Sequence, residues 1–232
     1  MGPLPLFSPI HQLILIGILG IWIIIPYIGT FLSKDNSYRV GMILATTIIS
    51  LEIYLFIFRI SNDLFNPSNN FPLHLCSFSE FCAAYALITR NQRAFELSFY
   101  WGFAGATQAL LTPHLVGYSL FDTQFNIFFI SHGLIILNVL WLLVVYKMKI
   151  RSVSFKEVII VSNLLIIPIG LIDWIGNANY MYLRFKPNVD NILLMGDWPW
   201  YILGIEFISI ILFGLLFLIM KLFHKVSPKP VT

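Results

Sequence analysis

Seven long apolar stretches alternate with short polar ones along the chain. They run over about Leu13–Leu32, Val40–Phe58, Leu73–Thr89, Leu97–Leu115, Phe125–Tyr146, Val158–Ile175 and Trp200–Met220. A helix that crosses a bilayer needs roughly 17–25 predominantly apolar residues, so each stretch predicts one span. The third and sixth are the weakest, because both carry polar residues. The connections, such as Ser33–Arg39 and Ser61–Pro72, are too short for a second, soluble domain. The pattern predicts an all-α membrane protein over residues 1–232, a single bundle of seven transmembrane helices. Met1–Pro9 lacks a basic n-region and leads into a full span, so it is not read as a secretory signal. Leu6 stands where a myristoylation motif needs Ser or Thr.

Composition supports this class. The 232 residues are 58% hydrophobic and 11% charged, with a mean hydropathy of +0.84. A soluble domain carries about one quarter charged residues, and this chain has too few to cover a soluble surface. The net charge of +3 and the scattered basic residues exclude disorder and a nucleic-acid partner. Two cysteines, Cys76 and Cys82, do not make a disulfide framework.

Lys and Arg set the orientation. Loops on one side hold Lys34, Arg39, Arg90, Arg93, Lys147, Lys149, Arg151, Lys156, Lys221, Lys225 and Lys229; the other side holds Arg59, Arg184 and Lys186. This places the N-terminus outside and the C-terminus inside a cell membrane. Tyr180, Tyr182, Trp198, Trp200 and Tyr201 then form an outer aromatic belt.

The acids behave differently. Glu52, Glu80, Asp173 and Glu206 fall within spans, as do His74 and His132, and His114 lies at a span end. Ionisable groups at membrane depth are costly and mark functional sites by default. At about 1.5 Å per residue, these residues, with Cys76, Gln108, Thr112 and Asn177, all fall toward the outer leaflet. Six helices thus point to one polar cavity there. Cys76 and Glu80 are four apart and share a helix face, as do Gln108 and Thr112, and Asp173 and Asn177. Pro72 precedes the third span, so His74 and Cys76 sit in its first turn, where the helix dipole favours negative charge. Gly102, Gly105, Ala106 and Ala109 allow the fourth span to pack closely.

Two readings compete for each polar residue. Cys76 is either a nucleophile activated by an imidazole, His132 above all, or a small packing residue; Cys82 is read as packing. His132 is either that base or a hydrogen-bonded bundle histidine. Glu52, Glu80 and Asp173 either orient a histidine or bridge helices by hydrogen bonds. Gln108, His74 and Asn177 are candidate donors to an oxyanion. His74, Cys76, His132 and Glu80 would suit a metal, but no HExxH or CxxC signature accompanies them; no metal or cofactor is expected. Arg184 and Lys186 either meet a lipid phosphate or anchor the interface.

These residues lie in motifs that resemble a known family. Pro72-Leu73-His74-Leu75-Cys76-Ser77 opens the third span, and Trp101-Gly102-Phe103-Ala104-Gly105-Ala106-Thr107-Gln108-Ala109-Leu110-Leu111-Thr112-Pro113 follows. Then come Ser131-His132-Gly133, Asn179-Tyr180-Met181-Tyr182-Leu183 with Lys186-Pro187, and Gly196-Asp197-Trp198-Pro199-Trp200-Tyr201. The ordered set, from Phe71 to Met220, resembles the YwaF-type integral membrane proteins of bacteria. That family is related to a eukaryotic transmembrane acyltransferase that forms arachidonoyl ether phospholipids. The resemblance implies a seven-helix fold, an acyl-carrying cysteine and an assisting histidine, matched here by Cys76 and His132. It does not carry over arachidonate, which bacteria usually lack. More distant seven-helix relatives hydrolyse lipid esters with a threonine and a histidine, so transfer and hydrolysis both stand open. Membrane phospholipids are the expected substrate class. The alternative is a small-molecule transporter or ligand-binding bundle, since intramembrane acids suit proton coupling.

Overall fold

The computed structural model describes residues 4–113, 119–186, 196–223 and 226–227. It is all-helical apart from one two-residue strand pair. The segments are α1 (Pro9–Gly29), α2 (Lys34–Ser61), α3 (Leu75–Thr89), α4 (92–111), α5 (Thr123–Val145), α6 (Ser154–Ile175) and α7 (Trp200–Leu222). Five of them, α1, α2, α5, α6 and α7, are long and apolar enough to cross a membrane. The α3 helix is apolar but has only 15 residues. The α4 segment consists of Gln92–Trp101, a π-turn at Gly102–Ala106 and a last turn at Thr107–Leu111.

Cap chemistry explains where the helices outrun the apolar stretches. Ser33 caps α2, its hydroxyl accepting from the Asn36 amide, and Asp35 sits favourably in the first turn. The helix therefore starts six residues before Val40. Arg90 ends α3 with φ +57°, and the Asn91 side chain immediately caps α4 by accepting from the Ala94 amide at 3.0 Å. So α4 begins at Gln92 rather than Leu97, and its first turns carry the buried Glu96. The predicted end of the fourth span at Leu115 lies outside the described residues, with His114.

The segments run alternately up and down, as long-range hydrogen bonds show. His11 at the start of α1 bonds the Leu110 carbonyl at the end of α4, at 2.8 Å. Arg59 at the end of α2 donates to Gln124 at the start of α5. Tyr38 near the start of α2 reaches the Ile88 carbonyl near the end of α3. One end of the bundle, here the site end, thus holds the starts of α1, α3, α5 and α7. The other, the basic end, holds Lys34, Arg39, Arg90, Arg93, Lys147, Lys149, Arg151, Lys156 and Lys221.

The packed centre belongs to α2, α3, α4 and α5. Ile48, Leu87, Phe95, Tyr100, Ile135, Ile136 and Trp141 are all essentially inaccessible. Gly102 permits the closest approach there: a β-carbon would come within 2.9 Å of Ile135 Cγ2 and 3.3 Å of Ser79 Oγ. By contrast α6 and α7 expose continuous apolar faces, such as Ile167, Leu171, Leu203 and Phe207, which suits a lipid surrounding. Polar contacts pin α6 to the centre and α7 to α6. Trp101 Nε1 donates to Ser162 Oγ at 2.8 Å, and Asn163 donates to Glu206 Oε1 at 2.7 Å.

The basic end is closed by one polar network. The buried Arg151 donates through its backbone amide and its guanidinium to Glu96, and also to Glu157. Gln92 bridges Glu96 and the Lys149 carbonyl, both at 2.8 Å. Tyr100 and Ser154 join hydroxyls at 2.9 Å. A parallel pair, β1 (Ile150–Arg151) with β2 (Val226–Ser227), covers the network. Glu96 holds the Arg151 guanidinium above its ordinary range, so its charge persists throughout the pH range of the folded protein.

Candidate active site

A cavity of about 640 Å³ opens between the packed centre and the outlying helices α6 and α7. That size falls within the roughly 300–1,000 Å³ of small-molecule sites. Its polar lining includes Glu52 and Arg59 from α2, Cys76, Ser77 and Glu80 from α3, and Gln108 and Thr112 from α4. Gln124, Ser131 and His132 come from α5, and Glu206 and Ser209 from α7. Its apolar wall comes from Leu55, Trp101, Ile166, Ile202, Ile205, Ile208, Leu212 and Phe213. Among the described residues, no lining group comes from the basic end.

Cys76 and His132 therefore share one cavity, although 56 residues separate them in sequence. Cys76 is the second residue of α3, and no side chain caps that helix start. The π-turn of α4 passes alongside: a β-carbon on Gly105 would touch Cys76 Sγ at 3.9 Å. Single π-turns inside α-helices occur often at functional sites. The His132 ring is oriented from its own helix. Its Nδ1 lies 2.7 Å from the Phe128 carbonyl. A carbonyl only accepts, so Nδ1 carries the proton and Nε2 of the neutral ring holds the lone pair a general base needs. The orienting partner is thus this backbone carbonyl rather than Glu80 or Asp173.

Glu80 lies one turn deeper than Cys76, in a nearly inaccessible position. Its Oε2 has no partner among the described residues. Gln108 donates to Thr112 Oγ1 within α4, at 2.8 Å. Glu206 accepts from Asn163. Cys82, unlike Cys76, is not among the lining residues.

Asp173 and Asn177 belong to a strap rather than the cavity wall, whereas His74 lines the cavity and also bonds the strap. Residues 177–185 fold across the mouth, and Met181, Tyr182 and Leu183 line it from above. Three non-glycine residues take left-handed backbone here, with φ +51° at Asn177, +51° at Met181 and +58° at Tyr182. Such backbone persists only where surrounding structure holds it. Asp173 Oδ1 accepts from the Tyr180 amide at 2.8 Å, and Tyr201 donates to the Tyr182 carbonyl. Asn177 accepts from Arg184, which also donates to the Asp173 carbonyl at 3.1 Å. His74 is the N-cap residue of α3. Its Nδ1 accepts from the Met181 amide at 3.3 Å, and Nε2 bonds the Asn69 carbonyl at 3.2 Å. His74 lines the cavity, and both its ring nitrogens are engaged, so it latches the strap to the start of α3. Asp173 and Asn177 lie outside the cavity lining. Lys186 donates to the Gly196 carbonyl at 2.7 Å.

Tyr182 is a residue that sequence reasoning placed only in an aromatic belt. Burial pushes its hydroxyl above the ordinary range, and a charge on Cys76 adds to the shift. It therefore lies within electrostatic reach of the thiol. Among the described residues, no three His, Cys, Asp or Glu side chains converge as a metal site needs.

A sequence model of the TMEM164 family matches residues 6–217. The chain belongs to the TMEM164 family. The match covers all seven helical segments except the last turn of α7, and every residue named at the site. No curated protein and no solved structure matches the chain. This member of the TMEM164 family is therefore a membrane protein with several apolar helices, and its chemistry has to be argued from the cavity.

Proposed function

We propose that the protein spans the cell membrane seven times, with the cavity toward the outer leaflet, and that it transfers or hydrolyses lipid acyl esters. The excess of Lys and Arg at one end supports an outside N-terminus. The kinship read from the motifs, to YwaF-type proteins and a eukaryotic acyltransferase, agrees with this reading. The observation that carries it is the shared cavity of Cys76 and His132, with Nε2 of His132 left as the accepting nitrogen.

The chemistry follows in two halves. His132 Nε2 takes the Cys76 proton as Sγ attacks the ester carbonyl of a phospholipid. The tetrahedral intermediate collapses, the carbon–oxygen bond breaks, and the departing alkoxide takes the proton from His132. This leaves an acyl thioester on Cys76. An acceptor hydroxyl, or water, then gives its proton to His132 and attacks the thioester, and the thiol is restored. The Tyr182 hydroxyl, which lines the same cavity, and the uncapped start of α3 would serve as donors to the developing oxyanion. Purified protein with a labelled phospholipid tests the assignment. Cys76→Ala and His132→Ala are expected to abolish turnover and leave the fold intact; unchanged turnover in either removes the dyad.

A second reading, a small-molecule transporter, draws on the three carboxyls of Glu52, Glu80 and Glu206 in one cavity. The closed network at the basic end stands against a through-path. Gradient-driven flux that survives Cys76→Ala in proteoliposomes would establish it.

A further inference from the structure

We infer that the Glu80 carboxyl seats the nucleophile that resolves the acyl-enzyme, a molecule with two O–H donors: water or a vicinal diol. The inference rests on the lipid-ester reading and names a catalytic residue for its second half. Glu80 is 4% exposed and lines the cavity, and its Oε2 has no partner among the described residues. It shares a face of α3 with Cys76, one turn deeper. A buried carboxyl oxygen without a donor costs free energy, and an O–H group in the cavity completes it. In either protonation state the carboxyl keeps an acceptor oxygen. The other cavity carboxyls differ. Glu206 accepts from Asn163, and Glu52 on α2 is only half-buried.

The helix register brings Glu80 and His132 to one depth. Arg59 bonds Gln124, which aligns the site end of α2 with that of α5. Glu52 lies seven residues below Arg59 and His132 eight below Gln124, about 10 and 12 Å along their axes. Glu52 is in turn an electrostatic neighbour of Glu80. The α3 and α5 helices pack on each other, and both start at the site end. Their side chains lean toward the helix starts, as the bond of His132 Nδ1 to the Phe128 carbonyl shows. Glu80 and His132 are thus both directed toward Cys76, which lies about 6 Å above Glu80 along α3. Reacting atoms meet at about 3 Å, and an O–H···O bond spans about 2.7 Å. A hydroxyl therefore fits between Glu80 and a thioester on Cys76. The α4 wall beside it is Ala104, Gly105 and Ala109, whose small side chains leave room.

The proton count selects the class of nucleophile. A water molecule gives one proton to His132 Nε2 as its oxygen attacks the thioester carbonyl. Its second proton stays hydrogen-bonded to Glu80 Oε2. The carbon–sulfur bond then breaks, Sγ takes the proton from His132, and a carboxylic acid leaves. A vicinal diol does the same with two hydroxyls, one attacking and its neighbour held by Glu80, and an ester leaves. A monohydric alcohol has one O–H proton, which His132 needs, and cannot engage both groups.

Quenched-flow kinetics with intact-mass analysis test this on the full-length protein. The substrate is a labelled phospholipid, presented in buffer alone, with glycerol, or with propanol. Glu80→Leu is expected to form the Cys76 thioester at the wild-type rate and to resolve it about 10- to 100-fold more slowly. Its unfolding midpoint should not fall, because the change removes an unpaired buried carboxyl. Glu80→Gln keeps one acceptor oxygen and should resolve the thioester faster than Glu80→Leu. Resolution in buffer alone, with a carboxylic acid product, assigns the seat to water. Resolution that needs glycerol, with a glycerol ester as product, assigns it to a diol. A propyl ester as the main product overturns the proposal. So does a lower unfolding midpoint in Glu80→Leu, or equal slowing of acylation and resolution. The two failures are separable. A thioester on Cys76 that Glu80→Leu resolves at the wild-type rate removes Glu80 and leaves the dyad. Turnover with no thioester on Cys76 in any variant removes the dyad, and the role of Glu80 with it.

Discussion

The two ends of the bundle handle buried polar groups in opposite ways. At the basic end, Arg151 sits between Glu96 and Glu157, and Gln92 completes the set. Every member has a partner, and none of them lines the cavity. At the site end, Glu80 Oε2 lacks a partner, His132 uses one ring nitrogen, and Cys76 stands beside an open volume. A buried polar group without a partner costs free energy; Glu80 Oε2 faces a cavity where a ligand can complete it, whereas Asn138 and Trp141 Nε1 lack partners away from the cavity. The difference separates the Glu96–Arg151–Glu157 network, which holds the bundle together, from the groups that line the cavity. The strap shares features of both, because Asp173 Oδ1, Asn177 and His74 bond backbone or Arg184, while Asp173 Oδ2 has no partner among the described residues and His74 lines the cavity.

Mutations at each end sharpen the contrast. The largest effect is expected from His132→Ala, a loss of about 10²–10⁴ in turnover, the usual contribution of a general base. Its thermal unfolding should stay close to wild type, and a large drop in stability would place His132 with the structural groups. Next comes Glu96→Ala, which leaves Arg151 buried without its main partner. Such a break costs about 3–5 kcal/mol, seen as a lower unfolding midpoint, with turnover per folded molecule retained. A stability-neutral Glu96→Ala would erase the distinction between the ends.

Smaller effects are expected in the strap and the outlying helices. Asp173→Ala removes the acceptor of the Tyr180 amide and should cost about 1–3 kcal/mol. Hydrogen exchange should rise at residues 179–185 and stay unchanged around Arg151; a uniform rise would show that the strap is not a separate unit. Glu206→Ala removes the acceptor of Asn163 and should cost about 0.5–1.5 kcal/mol. Its effect is read as looser packing of α7 on α6 in exchange experiments. Protection equal to wild type would remove this pin.

Much of the fold was legible in the apolar runs, because a span announces itself by length alone. Caps moved the boundaries: Ser33 and Asn91 start helices earlier than hydropathy suggests. The π-turn at Gly102–Ala106 was not legible, since its residues read equally well as small packing positions. Nor was the pairing of Glu96 with Arg151, which joins residues 55 apart. At the site, the depth of Cys76, Glu80, Gln108 and His132 marked the cavity correctly as a common region. The strap contacts of His74, Asp173 and Asn177 were hidden, because the fold of residues 177–185 sets each of them. No glycine or proline marks the turn at Met181 and Tyr182, so local sequence gave no sign of it. Arg59 read as a topology charge until the fold placed it on the cavity wall.

The central claim is that Cys76 is a nucleophile reached by lipid. A thiol-reactive, acyl-chain probe, followed by peptide mapping, tests it most directly. Labelling should fall on Cys76 and not on Cys82, and His132→Ala should slow it sharply. Labelling of Cys82 alone, or labelling of Cys76 at a rate indifferent to His132, would contradict the account.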